Sequence, residues 1–305
     1  MKAILKGLFL AILFASMCAC SSDDVKTWSP VETSVVNFSF FDASVEEFAT
    51  RADDVDSKSW TTFFKRLDIA IFPVDKSKND SVYRVKQLSS DSDFGTLSIR
   101  LPIGQYTMVA VASKNDTGVT IQSPTQAEFL GDIVSDMAYV CQSIQVNSGV
   151  TSVNGLLKRS LTKMILKSAD RITSNIGKIE LTYHGFLSKS FNPTTGYGIK
   201  SATETTFERT FVFTDKNRPV DDYILLSFYS FIPDDMEEIT VGVKVYDVGG
   251  EVLKTLQFDN VKLQQNHVTT YKGPLFTSGS MFDFTFDNVD FKKSDYDVEF
   301  GDEVK

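Results

Sequence analysis

Apolar and polar residues alternate along most of this chain with a period of two. Leu97-Ser98-Ile99-Arg100-Leu101 sets three aliphatic side chains on one face and polar groups on the other. Val241, Val243 and Val245 alternate with Gly242, Lys244 and Tyr246, and Phe282, Phe284 and Phe286 alternate with Asp283, Thr285 and Asp287. Successive side chains of a strand leave opposite faces, so this pattern predicts half-buried antiparallel strands. Further strands are predicted over residues 36–41, 67–74, 106–112, 161–166, 179–183, 207–213, 225–231, 252–258 and 268–271. Turn formers punctuate them: Pro102-Ile103-Gly104, Lys114-Asn115-Asp116, Asn147-Ser148-Gly149, Asn192-Pro193, Val248-Gly249-Gly250 and Lys272-Gly273-Pro274. One helix is predicted over residues 123–136, with Pro124 near its start and Ala127, Leu130 and Val134 spaced for one face.

Residues 147–155 are small, polar and glycine-containing, after which Leu156-Leu157-Lys158-Arg159 opens a second strand-rich run. The expected division is therefore an N-terminal domain over 35–155 and a C-terminal domain over 156–305. Neither half alternates strand with helix, which disfavours parallel α/β folds. The fold class read from the pattern is all-β, with two antiparallel β-sandwich domains of the immunoglobulin-like kind in series.

The first residues change the setting of that fold. Lys2 and Lys6 precede the apolar run Leu8-Phe9-Leu10-Ala11-Ile12-Leu13-Phe14, and small residues lead into Cys18-Ala19-Cys20. This is the layout of a secretory signal, expected over residues 1–19. Its apolar core is far shorter than the roughly 20 residues that cross a bilayer as a helix. Lipoprotein signal peptidases favour a small residue before the acylated cysteine; Ala19 precedes Cys20, whereas bulky Met17 precedes Cys18. Cys20 is thus the expected lipidation site, with residues 20–34 as a tether to the outer membrane. The acidic stretch Ser21-Ser22-Asp23-Asp24 resembles the signal that carries some lipoproteins to the outer cell surface. With Cys18 removed and Cys20 acylated, Cys141 alone remains, so the mature chain is expected to fold without an intramolecular disulfide. Its hydrophobic content of 42%, with 25 phenylalanines, suits a fold held by its core. A net charge of −9 argues against a nucleic-acid partner, which calls for a clustered basic face.

Reactive constellations are sparse, and no enzymatic activity or cofactor is expected. His184 and His267 stand in no metal-ligand spacing with another His or Cys. The doublets Asp53-Asp54, Asp221-Asp222 and Asp234-Asp235 put neighbouring carboxyls on opposite faces of a strand, so they read as solvated turns and not as glycosidase pairs. Asp91-Ser92-Asp93-Phe94-Gly95 lacks the third acidic position and closing Glu of a calcium loop, and reads as a hairpin turn. Trp28 and Trp60 are the flat aromatics that a sugar platform would use.

Read together, several segments resemble the fimbrillin family of anaerobic Gram-negative bacteria, especially its anchor and accessory lipoproteins. They are Leu67-Asp68-Ile69-Ala70-Ile71-Phe72, the run from Leu101-Pro102-Ile103-Gly104 through Ala110, Leu157-Lys158-Arg159-Ser160-Leu161-Thr162-Lys163, and Asn266-His267-Val268-Thr269-Thr270-Tyr271-Lys272-Gly273-Pro274-Leu275-Phe276. The resemblance implies two transthyretin-like sandwiches, the second starting near Arg159. It also implies a structural and adhesive role in fimbriae, with other fimbrial subunits as partners joined by β-strand complementation. Stalk subunits of that family lose the lipidated leader and first strand to an arginine-directed protease, and anchor subunits keep their lipid. Thr50-Arg51-Ala52-Asp53 resembles such a processing site, with cleavage between Arg51 and Ala52; a loop arginine is the other reading. At the C-terminus Tyr296, Val298 and Phe300 alternate with acidic residues, a strand that either closes its own domain or inserts into a neighbour. A surface glycan- or nutrient-binding lipoprotein is the alternative function.

Overall fold

The computed structural model describes residues 32–42, 60–77, 80–131, 133–214, 224–276 and 285–290. The expected fold class holds: among the described residues the regular structure is almost all strand, arranged as sandwiches of small sheets. In chain order the first strands are β1 (Thr33–Asp42), β2 (Arg66–Pro73), β3 (Tyr83–Leu88), β4 (Thr96–Pro102) and β5 (Gly104–Ser113), with a single helical turn, α1 (Trp60–Phe63), ahead of β2. There follow β6 (Val119–Ser123), β7 (Gln126–Phe129), β8 (Met137–Val146) and β9 (Thr151–Leu157). The remainder are β10 (Thr162–Ser168), β11 (Ile176–Gly185), β12 (Ser190–Phe191), β13 (Thr205–Val212), β14 (Ile224–Ser230), β15 (Met236–Asp247), β16 (Val252–Gln264), β17 (His267–Gly273) and β18 (Thr285–Asp290).

The two sandwiches repeat one topology. In the first, the sheet β4-β1-β9 faces the sheet β3-β2-β5-β8; in the second, β14-β10-β17-β18 faces β13-β11-β15-β16. Each sandwich contains one parallel pair, β1 with β9 and β10 with β17, and its other pairings are antiparallel. Period-two alternation is what builds the cores. Val36, Phe38 and Phe40 of β1 meet Leu67, Ile69 and Ile71 of β2, and Ile179 and Leu181 of β11 meet Val241, Val243 and Val245 of β15. Polar partners of these residues, such as Asn37 and Lys244, remain exposed.

Two expectations are corrected. No helix forms over 123–136: Val119 and Ile121, then Ala127 and Phe129, bury alternate side chains, and Ser123-Pro124-Thr125 turns the chain between β6 and β7. The Ser123 hydroxyl accepts the Thr125 N–H at 3.2 Å, so a local side-chain bond stabilises the turn where a helix would need backbone bonds. The small, polar stretch 147–155 includes the start of β9, which begins at Thr151 and pairs with β1. Residues 91–95 do form a tight turn, but β3 and β4 lie in different sheets, so it carries the chain across the sandwich instead of closing a hairpin. Gln87 supports this crossing by donating to the Asp93 carbonyl and accepting the Gly95 N–H.

Candidate functional site

The structure concentrates its unusual features at strand edges and at the junction between the sandwiches. The first of these is β1. Although it is the first described strand, it lies in the middle of its sheet, paired from Thr33↔Pro102 to Ser39↔Thr96 with β4 and from Val36↔Thr151 to Asp42↔Leu157 with β9. Val36, Phe38 and Phe40 project from it into the core, and the Trp60 indole N–H donates to the Phe40 carbonyl at 3.1 Å. Gly155, opposite Phe40 on β9, leaves the space that the Phe40 ring fills; a Cβ there would come within 2.6 Å of that ring.

Trp60 is itself buried, against Phe64 and Phe94, and so provides no exposed sugar platform. Trp28, Cys20, Arg51, Ala52, Tyr296, Val298 and Phe300 lie outside the described residues, as do Asp53, Asp54, Asp221 and Asp222. His184 sits on the outer face of β11, 3.2 Å from Glu204, and His267 Nδ1 lies 2.8 Å from the Gln265 carbonyl. Asp235 accepts the Tyr197 hydroxyl. Among the described residues no group of His, Cys, Asp and Glu side chains has a metal-holding arrangement, and no helix is long and apolar enough to cross a membrane.

The junction escaped sequence reasoning. β6, β7 and β12 form a small third sheet, in which β7 of the first sandwich's insertion pairs with β12 of the second's through Ser190↔Glu128 and Phe191↔Ala127. This sheet covers the outer face of β2 and β5. Beneath it lies a separate core in which Phe72, Val109, Val111 and Phe129 meet Tyr139, Leu161, Phe191 and Phe231; the Phe191 and Phe231 rings stack at 4.5 Å. Asp136 and Arg159 form a bidentate ion pair at its margin, at 3.0 and 2.6 Å, with Arg159 buried and Asp136 fully so. Burial pushes the Asp136 carboxyl above its usual range, opposed by the charges of Arg159 and Lys163. Tyr139, in the same core, has its phenol pushed up to about 12, chiefly by burial. The signal that could have exposed this junction is the continuous apolar run Met108–Ala112: a strand apolar at every position is covered on both faces.

Residues 29–300 match the sequence profile of DUF6562, a family of unknown function. No curated protein matches the chain by sequence. Among solved structures, the fold is similar to a candidate adhesin from Bacteroides ovatus, with 13% identity, a TM-score of 0.49 and coverage of 80% of this chain and 88% of that one. It is also similar to the fimbrial anchor protein Mfa2 from Porphyromonas gingivalis, with 12% identity, a TM-score of 0.47 and coverage of 85% and 98%. The tip fimbrial protein Mfa3 from the same organism shares 11% identity, with a TM-score of 0.41 and coverage of 85% and 99%.

Proposed function

The chain belongs to the DUF6562 family, and from the placement of its first strand we propose that it is a structural subunit of a surface fimbria, anchored by acyl chains on Cys20 and joined to neighbouring subunits by strand addition. The carrying observation is that β1 is the first of the described strands yet central in its sheet. A strand so placed is the one whose loss would leave two facing unpaired edges, on β4 and β9, ready to accept a strand from another subunit. In sequence, β1 lies between Cys20 and Arg51. One cut after Arg51 would therefore remove the lipid and vacate the sheet together. A subunit that keeps its lipid keeps its own β1 and stays closed at that sheet, which suits an anchor at the base of a filament and not a stalk subunit. Its C-terminal alternation at Tyr296, Val298 and Phe300 is the strand proposed to reach the next subunit.

The test combines localisation with assembly. Cells producing the wild-type chain and Cys20→Ala are fractionated, labelled with a radioactive fatty acid and imaged with gold-tagged antibody. The expected result is acylation that is lost in Cys20→Ala and retained in Cys18→Ala, with gold at filament bases and shed filaments in the Cys20→Ala cells. Undiminished acylation of Cys20→Ala, or filaments that neither carry the antibody nor change when the chain is deleted, overturns the reading.

A further inference from the structure

The outer face of the sheet β13-β11-β15-β16 carries a depression that the fimbrial role does not use. On this face the registers set Thr182 of β11 between Glu208 of β13 and Gly242 of β15, with Gly242 opposite Gln257 of β16; in the next row Lys244 lies opposite Glu180 and Thr255. Gly242 stands in a strand interior between Val241 and Val243, where a β-branched residue would be preferred and glycine is unfavourable. Its missing side chain opens a hollow of about 300 Å³ floored by backbone and ringed by Thr182, Glu208, Lys244, Thr255 and Gln257. Glycine inside a strand marks a bulge, a bend or the close approach of a ligand or another backbone; the β15–β16 register shifts between Ile239 and Val241, one residue before Gly242, and the open space stands beside it.

The ring sets the chemistry of the occupant. It mixes hydroxyl, amide, carboxylate and ammonium groups, so it offers donors and acceptors on all sides. Its charges balance: Glu180 and Glu208 line it together with Arg209 and Lys244, and of these Glu180 is already held by Lys178 at 2.7 Å and by the Tyr246 hydroxyl, and Arg209 is hydrogen-bonded with Tyr183. An anion would meet Glu208, and an apolar group would strand the polar rim without partners. We propose that this hollow binds a neutral saccharide unit, whose hydroxyls both donate and accept. An open hollow of this size, at the lower end of the range for ligand sites, suits a weak single-site affinity on the order of millimolar. Display of many copies would raise it through avidity. The inference does not depend on filament assembly.

Saturation-transfer NMR of the purified full chain tests it against a panel of neutral mono- and oligosaccharides, with one sialylated and one sulfated glycan alongside. The expected result is transfer to at least one neutral saccharide, weakened about ten-fold by Gln257→Ala or Thr255→Ala, the loss expected for one hydrogen-bonded contact. Gly242→Val fills the hollow and should abolish transfer. Its Cβ would come closest to the Thr182 hydroxyl, at 2.6 Å, an atom that can rotate aside, with the Thr182 Cβ and carbonyl at an ordinary 3.9 Å, so the fold is kept and the melting temperature checks this. Absence of transfer from every neutral saccharide, transfer confined to the charged glycans, or transfer unchanged in Gln257→Ala and Thr255→Ala overturns the proposal. Co-purification of Gly242→Val with filament subunits is expected to be normal, which separates this site from the assembly role.

Discussion

Single buried polar residues do much to define this fold. Asp68 lies within β2, where a buried carboxylate is costly unless satisfied. Arg66 grips it with two guanidinium nitrogens at 2.8 Å, and the Val119 N–H donates to it at 3.0 Å, so one side chain ties β2 to the start of β6. Asp170 plays the same part in the second sandwich, accepting the N–H groups of Leu275 and Phe276 at 2.8 Å each and so fastening the chain that leaves β17. Tyr139 gives the clearest pH signature. Its phenol ionises near 10 in the unfolded chain and only near 12 in the folded protein. Between those values the folded state holds a proton that the unfolded state has released, so this group's contribution to stability is full below about pH 10 and is lost as pH rises through about 12. Urea unfolding at pH 8, 10 and 11 should accordingly show a steeper alkaline loss for the wild type than for Tyr139→Phe. Parallel losses in the two proteins would mean that the phenol is not protected.

At the level of elements, β1 and β9 form the pairing on which the first sheet depends. Seven cross-strand partners run from Val36↔Thr151 to Asp42↔Leu157, and Gly155 accommodates the Phe40 ring. In Gly155→Val the new Cβ would crowd Phe40 at 2.6 Å and Val140 at 3.3 Å, so β9 must shift from β1. Overpacking of this kind costs about 1–3 kcal/mol. Thermal unfolding should show that loss, and the double variant Gly155→Val with Phe40→Leu should recover part of it by returning the volume. A single variant as stable as the wild type would show that β9 is free to move, and with it that the β1 slot is loosely built. The same strand shows how period-two reading sees past composition: in a stretch that is small and polar overall, Val153, Gly155 and Leu157 form the buried face of β9 while Ser152, Asn154 and Leu156 face outward.

For the whole molecule, the decisive feature is the third core, to which both sandwiches contribute side chains. The described residues form one compact unit. The Phe129–Phe231 and Tyr139–Phe191 ring contacts, the β7–β12 pairing and the Asp136–Arg159 pair all join the first sandwich to the second. The two should therefore unfold together, with tyrosine fluorescence and far-ultraviolet circular dichroism giving coincident transitions. Phe231→Ala removes a fully buried ring and should cost about 3–5 kcal/mol. It should also separate the two transitions, because it weakens the junction more than either outer core. Two well-separated transitions in the wild type would mean that the shared core contributes little to cooperativity.

Periodicity by itself determined the all-β class, most of the strands and the identity of the two outer cores, because a half-buried strand writes its buried face into every second residue. What only the tertiary structure decided is which strand lies beside which: the parallel pairing of β1 with β9, the crossing of residues 91–95 between sheets, and the meeting of β7 with β12. Those pairings join residues tens of positions apart through backbone hydrogen bonds, which every residue type except proline can donate. The hollow at Gly242 follows the same rule. Its glycine is plain in the sequence, but the polar ring around it comes from four strands and exists only once their registers are set.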